Sequence, residues 1–177
     1  MLLTQHTQNP NLLKHAIGVE AAMRAYARHF SADEDLWGVT GLLHDLDYEK
    51  HPSLEEHPFV GAQVLRDEGV SEDIVLAILG HADHTGVPRE TRMAKTLYAV
   101  DELVGFVVAV ALVRPAKSIT DLPTKSVLKK FKDKPFCRAI DRDHLRAGAA
   151  EIGVEMREHV ERIISALGGI AADLELA

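Results

Sequence analysis

The adjacent pair His44 and Asp45 is the feature of this sequence that most constrains its fold. The pair directly follows an apolar stretch that contains Trp37, Val39, Leu42 and Leu43. We therefore expect the end of a packed helix, from which the side chains of His44 and Asp45 point into the protein interior. Burying a carboxylate is costly unless a metal ion or another cation lies beside it. Metal binding is the first hypothesis, and a surface cap or an ordinary core histidine is the simpler alternative for each residue alone.

The composition indicates one globular domain that spans residues 1–177. The chain has 46% hydrophobic but only 5% aromatic residues, which predicts a core of aliphatic side chains. A formal net charge of -7 argues against general binding of nucleic acids. Cys137 is the only cysteine, so no internal disulfide can form, and we expect a cytoplasmic location.

Neither a leader nor a membrane anchor is expected from the sequence. Residues 1–10 are polar and lack the basic and apolar regions of a signal peptide. The longest apolar run, residues 103–113, is about half of the roughly 20 residues that a spanning helix needs. This run predicts a buried helix.

Apolar residues at helical spacing predict a series of helices and no convincing strand, so the expected fold class is all-α. The first long helix follows Pro10 and ends near Phe30. Ser31, with Glu34 three residues later, predicts a capping box that starts a second helix running to about His44. Further helices are predicted at residues 58–68, 71–80, 90–113 and 141–167.

Two segments of the chain interrupt this helical pattern. Residues 47–58 are charged and contain two prolines, which predicts a loop beside His44 and Asp45. Residues 114–138 carry eight basic residues against Asp121 and Asp133. This basic segment is a candidate phosphate-attracting flap or partner surface, and a solvated helix is the default interpretation.

Histidines and acids from several predicted helices form one set of candidate ligands. Asp101 is notable because Asp is disfavoured inside a helix, and its apolar neighbours suggest a fixed partner. Imidazole and carboxylate together suit Fe, Mn, Zn or Mg. The candidates are His15, His44, Asp45, His57, His81, His84 and Asp101.

The order His15, then His44 and Asp45, then Asp101 resembles the HD superfamily of metal-dependent phosphohydrolases, over residues 11–105. Residues 56–62, 80–81 and 98–102 resemble the subset with two metals, which includes dinucleoside tetraphosphate hydrolases and HD-GYP phosphodiesterases. The later part of the chain resembles uncharacterised HD proteins described only as predicted hydrolases. The resemblance implies a helical bundle with a metal-binding core at about 11–113 and a C-terminal helical extension at about 114–169.

The resemblance also implies roles for individual residues. One divalent ion would be held by His15, His44, Asp45 and Asp101. A second would be completed by His57 and His81, with Asp45 bridging. We prefer His81 to His84 as the ligand and expect His84 to contact the substrate or another ligand. The expected catalytic residues are Asp45, His81 and His84.

The implied activity is hydrolysis, by a metal-activated water, of a nucleotide or of another phosphate ester or anhydride. Two divalent ions and two carboxylates would leave about two positive charges for a phosphate. A small phosphorylated substrate is expected, without sequence-specific nucleic acid or a membrane as partner. A di-iron oxygenase and a non-catalytic module that binds a metal or nucleotide are the alternatives. Side chains that could assist, although surface charge is the stronger interpretation for each, are Asp47, Glu49, Lys95 and Glu102.

Overall fold

A computed structural model describes residues 2–177, in which nine α-helices and no strand are found. The all-α prediction is therefore confirmed. Met1, which belongs to the polar segment 1–10, lies outside the described residues. The helices are α1 (Leu2–His6), α2 (Pro10–Phe30), α3 (Glu34–Leu43), α4 (Phe59–Asp67), α5 (Glu72–Gly80), α6 (Arg92–Leu112), α7 (Thr124–Lys130), α8 (Arg142–Glu151) and α9 (Met156–Gly168).

The long helix α6 lies at the centre of the bundle. Leu97, Leu103 and Phe106 are fully buried along it, because α2, α5, α8 and α9 pack around its faces. The apolar run that begins at Leu103 thus lies in a core helix, as its length predicted, except that Leu112 and Val113 at its end are exposed. Within residues 2–177, no helix combines the length and apolar character needed to cross a membrane.

The turn between α2 and α3 differs from the predicted capping box. Ser31 ends α2 in the left-handed conformation, with φ of 54°. Asp33 instead caps α3, because its side chain accepts hydrogen bonds from the backbone N–H groups of Asp35 and Leu36. Asp is as good a cap as Ser, and its carboxylate also suits the positive end of the helix dipole. The Ser31 cap prediction is therefore wrong.

The predicted helix over residues 141–167 is also wrong, because the structure divides it into α8 and α9. Gly153 lies between them with φ of 70°, a backbone conformation that glycine adopts without strain. The backbone N–H of Val154 then donates to the Ala149 carbonyl at 3.0 Å and closes the end of α8. This is a common way to end a helix.

The last helix is joined to the core by a buried polar chain. The Tyr26 hydroxyl donates to Nδ1 of His159, and Nε2–H of His159 donates to the Ala99 carbonyl at 3.0 Å. The three groups belong to α2, α9 and α6. The helices beyond residue 138 are thereby packed onto those that carry His15 and Asp101.

The basic segment contributes to the core while most of its charges face water. Ile119 and Val127 are fully buried, and Phe131 is nearly so. Nζ of Lys130 lies 2.7 Å from Oδ2 of Asp133, and Nη1 of Arg114 lies 2.9 Å from Oδ1 of Asp121. The exposed basic residues are Lys117, Lys125, Lys129, Lys132, Lys134 and Arg138.

Candidate metal centre

Six predicted ligands come together where the ends of several helices meet the N-terminal part of α2 and the middle of α6. His44 caps the C-terminus of α3, and Asp45 follows in the next turn. His81 caps the C-terminus of α5, and His57 lies just before α4. The remaining two, His15 and Asp101, project from α2 and α6. The bundle thus converts distant positions in the sequence into neighbours in space.

The six side chains form two sets of three, and within each set the potential ligand atoms lie within 4.8 Å of one another. The sets are His15 with His44 and Asp101, and Asp45 with His57 and His81. Oδ1 of Asp45 lies 3.4 Å from Nε2 of His44 and 3.4 Å from Nε2 of His57. It also lies 3.6 Å from Nε2 of His81. The Asp45 carboxylate is therefore placed between the two sets.

One side of this centre is closed and the other faces solvent. The side chains of His44, His57 and His81 are 0%, 9% and 5% exposed. In contrast, His15 is 23% exposed, and the two aspartates are each 19% exposed. Among the described residues, the side of His15, Asp45 and Asp101 is therefore the open one, and a small molecule can reach the centre there.

The buried histidines have fixed ring orientations. Nδ1–H of His44 donates to the Gly41 carbonyl at 2.8 Å, and Nδ1–H of His81 donates to the Ile78 carbonyl. In the neutral ring this leaves Nε2 with its lone pair directed at Asp45. A hydrogen bond from the other ring nitrogen is typical of histidines that bind metals.

His57 is held by a carboxylate instead of a carbonyl. Nδ1 of His57 lies 2.7 Å from Oδ1 of Asp47, and Oδ2 of Asp47 accepts the backbone N–H of Gly61 at 2.6 Å. A Cβ atom on Gly61 would lie 3.0 Å from Cγ of Asp47, so the glycine permits this close approach. Asp47 is only 3% exposed, and the interpretation of it as a surface charge is wrong.

The electrostatics of the centre favour a cation. Burial by itself lowers the pKa of His44, but Asp45 and Asp101 outweigh it and raise that pKa to about 9. Burial likewise opposes ionisation of Asp101, yet His44 and His15 hold its pKa well below the usual value. Burial lowers the pKa of His81, which favours the neutral ring that binds metals.

The donor set fits a divalent metal ion. Nε2 of His44 is buried and lacks a hydrogen-bond partner among the described residues, which is costly for a polar atom unless a ligand satisfies it. The mixture of imidazole nitrogens and carboxylate oxygens suits first-row divalent metals. The two sets could each hold an ion, with Asp45 shared between them.

His84 lies at the edge of the centre and belongs to neither set. Its Nε2–H donates to the His57 carbonyl at 2.8 Å, so it contacts the backbone of a proposed ligand. The side chain of His84 is exposed on the 3₁₀ turn Asp83–Thr85. Its expected contact with substrate stays a prediction.

The other three polar candidates have different surroundings. Glu49 is exposed and accepts the backbone N–H groups of Gln8 and Asn9 before α2. Lys95 lines a surface depression with residues of α8. Glu102 follows Asp101, and burial raises the pKa of its carboxyl group. Of these three residues, only Glu102 is adjacent in sequence to a proposed ligand.

The fold and this centre define the class of protein. Residues 12–104, more than half of the chain, match the HD domain family. The chain therefore belongs to the HD superfamily of metal-dependent phosphohydrolases, whose members bind divalent metal ions. The matched residues include all six of the converging histidines and aspartates.

Several curated relatives are named Ribonuclease Y. The protein from Oleidesulfovibrio alaskensis is 32% identical over 96 residues, which cover 54% of this chain and 18% of the relative. The protein from Lawsonia intracellularis is 33% identical over 103 residues, or 58% of this chain and 19% of the relative. The chain thus spans less than a fifth of the length of these relatives. No solved structure matches it.

Proposed function

We propose that this protein is a metal-dependent phosphohydrolase with a dinuclear centre. His15, His44 and Asp101 would hold one ion, His57 and His81 the other, and Asp45 would bridge them. The observation that supports this most is the position of Asp45 Oδ1, within 3.4 to 3.6 Å of three histidine nitrogens. When bound, divalent ions polarise phosphoryl oxygens and lower the pKa of a coordinated water.

The protein's own side chains would prepare this centre in two ways. The carbonyls of Gly41 and Ile78 and the carboxylate of Asp47 hold three imidazole rings in the ligating orientation. The partly exposed His15, Asp45 and Asp101 leave one side through which a phosphate group can enter. Iron or manganese suits this mixture of nitrogen and oxygen ligands, and zinc and magnesium are the further candidates.

A small phosphate ester or anhydride is the substrate that we propose. The name of the relatives suggests an RNA phosphodiester instead. The net charge of -7 works against binding a polyanion, and the relatives match over less than a fifth of their own length. A cytoplasmic location is part of the proposal, since Cys137 is the single cysteine and is free.

The test is phosphate release by protein loaded in turn with Mn²⁺, Fe²⁺, Zn²⁺ or Mg²⁺. We expect hydrolysis of small phosphate esters with at least one metal, with and without dioxygen, and loss of more than about 99% of kcat in Asp45→Asn. The matched control is His51→Ala, which removes a partly exposed histidine from the same loop. Strict dependence on dioxygen would favour the oxygenase. Bound metal without turnover would favour a binding module, and cleavage of RNA alone would contradict the small substrate.

A further inference from the structure

A cavity of about 400 Å³ lies directly beside the candidate metal centre. This volume is within the range of sites that bind small molecules. Three parts of the chain line it: α2 with Lys14 and His15, α6 with Gly105 and Val108, and residues 174–176. His15 belongs both to the cavity and to the first set of ligands.

The face of α6 that begins at Asp101 leads into the cavity. Gly105 and Val108 follow Asp101 by four and seven residues, so the three share one side of the helix. This is also the side from which solvent reaches the centre, since His15 and Asp101 are 23% and 19% exposed. A phosphate ester bound at the centre would therefore direct its organic part along this face.

Gly105 leaves the floor of the cavity open. No atom lies within 4 Å of the place where its Cβ would be, although glycine in a helix interior is destabilising relative to alanine. By comparison, a Cβ on Gly148 would lie 2.7 Å from Cα of Ala99, so close helix packing explains that glycine. Packing does not explain Gly105, and a requirement for space in the cavity does.

The third wall lies outside the residues that match the HD family. Leu174 and Leu176 are 5% and 3% exposed, and the carbonyl of Leu176 accepts the Ile119 backbone N–H at 2.9 Å. At the rim, Nζ of Lys14 lies 2.6 Å from Oε2 of Glu175 and joins this wall to α2. The wall is therefore fixed in place, and it is a feature of this chain in addition to its HD core.

We propose that this cavity binds an aliphatic organic group of the substrate while the metal centre holds its phosphate. The inference rests on the proposed function and narrows the substrate to phosphate esters of apolar alcohols. Apart from the polar Asn11 and His15, the walls are aliphatic, and the charged Lys14 and Glu175 meet at the rim. A nucleobase in this space would leave most of its ring nitrogens and oxygens facing aliphatic carbon, which is unfavourable for unpaired polar groups.

Binding of two non-hydrolysable probes to the Mn²⁺-loaded protein tests the cavity. Hexylphosphonate and methylphosphonate share the group that the metal centre would bind and differ only in apolar length. We expect hexylphosphonate to bind at least about tenfold more tightly by calorimetry, because its longer chain leaves water. Equal affinities would overturn the proposal.

Two substitutions locate this preference in the cavity. Gly105→Leu would fill the space, and the ratio of the two dissociation constants should fall toward one. The matched control is Gly168→Leu in α9, where an added Cβ also meets no atom within 4 Å, and the ratio of the two dissociation constants should stay as in the wild type. Val108→Asp places a charge in the same wall and gives a second test if circular dichroism shows that Gly105→Leu is misfolded. A preference that survives both cavity variants would overturn the proposal.

The hydrolysis assay separates this inference from the proposed function. A cavity-dependent hexyl preference without turnover of any phosphate ester would support the cavity and contradict the hydrolase. Turnover of small esters without a hexyl preference would support the hydrolase and contradict the cavity.

Discussion

Each buried histidine at the centre is oriented by an acceptor close to it in the chain. His44 and His81 each bond to a carbonyl three residues earlier, and His57 bonds to Asp47. Since Nδ1 is used in this way, Nε2 is the atom left to bind a metal. The rings therefore need little reorganisation when an ion arrives.

We expect His44→Ala and Asp45→Ala to reduce bound metal to less than about half of the wild-type content. Each variant removes a proposed ligand, and the remaining ligands cannot replace it. Metal analysis of the purified proteins measures the effect, with circular dichroism to show that the helices remain. Unchanged metal content in both variants would contradict the proposed centre.

The second set gives a separate prediction about the number of ions. His57→Ala should lower the metal content from about two ions per chain toward one, because His15, His44 and Asp101 remain. His51→Ala is the control, since His51 pairs with Glu56 and belongs to neither set. An unaltered ratio in His57→Ala would favour a centre with a single ion.

Asp47→Asn tests the orientation of His57 without removing a ligand. The neutral amide accepts less strongly than the carboxylate that now lies 2.7 Å from Nδ1 of His57. We expect the affinity for the second ion to fall by about 10- to 100-fold, while the first ion is retained. Metal titration measures both affinities, and an unchanged second affinity would mean that the Asp47 contact is only structural.

The sequence identified the converging side chains, but among the groups that hold them it offered only Asp47, and there it favoured surface charge. His44, Asp45 and Asp101 stand out because polar residues interrupt apolar helices. Asp47 lies in a charged loop with prolines. Nothing in the sequence of that loop indicates that the Asp47 side chain packs against the first turn of α4. A signal exists only in retrospect: Gly61 occupies the first turn of α4 and leaves room for the carboxylate.

At the scale of helices, the sequence predicted the long elements better than their ends. The bounds of α2, α5 and α6 agree with the apolar pattern to within a few residues. Ser31 and Asp33 are both good caps, and local sequence does not decide between them because the choice depends on how α2 and α3 pack. The apolar pattern does not reveal the break at Gly153, because the spacing on either side of it continues in helical phase.

The contact of α9 with the core predicts a dependence of stability on pH. Burial, with a smaller contribution from nearby Arg162, lowers the pKa of His159 to about 4 against the opposing effect of the Ala99 carbonyl. The unfolded chain takes up this proton near its usual pKa of about 6.5, whereas the native protein takes it up only near 4. Stability should therefore fall as the pH decreases from about 6.5 to 4, by about 3 kcal/mol.

The variant His159→Gln isolates this effect. Its free energy of unfolding, measured with urea between pH 7 and pH 4, should fall less steeply than that of the wild type. Carboxylates titrate in the same range in both proteins, so the difference between the two slopes belongs to residue 159. Parallel curves would contradict the assignment.

Over the whole molecule, charge is distributed unevenly. The net charge is -7, yet residues 114–138 are basic and present Lys129 and Lys132 to solvent. Lys130 pairs with Asp133 and lies 4.6 Å from the ring centre of Phe136. Exposed charges of this kind can attract an anionic substrate from a distance at low ionic strength.

Replacing Lys129, Lys130 and Lys132 together by Gln should raise KM for a phosphate ester by about two- to fivefold at low salt. The difference should fade at about 0.5 M salt, where charges are screened within a few ångströms. Steady-state kinetics at several salt concentrations measure the effect. The control makes the same replacement at Arg66, Arg146 and Arg157. An equal rise of KM in that protein would show that only the net charge of the protein matters.

The packing of α8 and α9 on α2 and α6 has a practical consequence for anyone who shortens the gene. Arg89 reaches across to Glu151 at 2.9 Å, and His159 bonds to Ala99, so the matched residues 12–104 depend on these two later helices. A fragment that ends at residue 104 would expose the large apolar surface of α2 and α6 on which α8 and α9 normally pack. We expect it to accumulate in inclusion bodies, and its failure to hydrolyse a phosphate ester would say nothing about the activity of the intact protein.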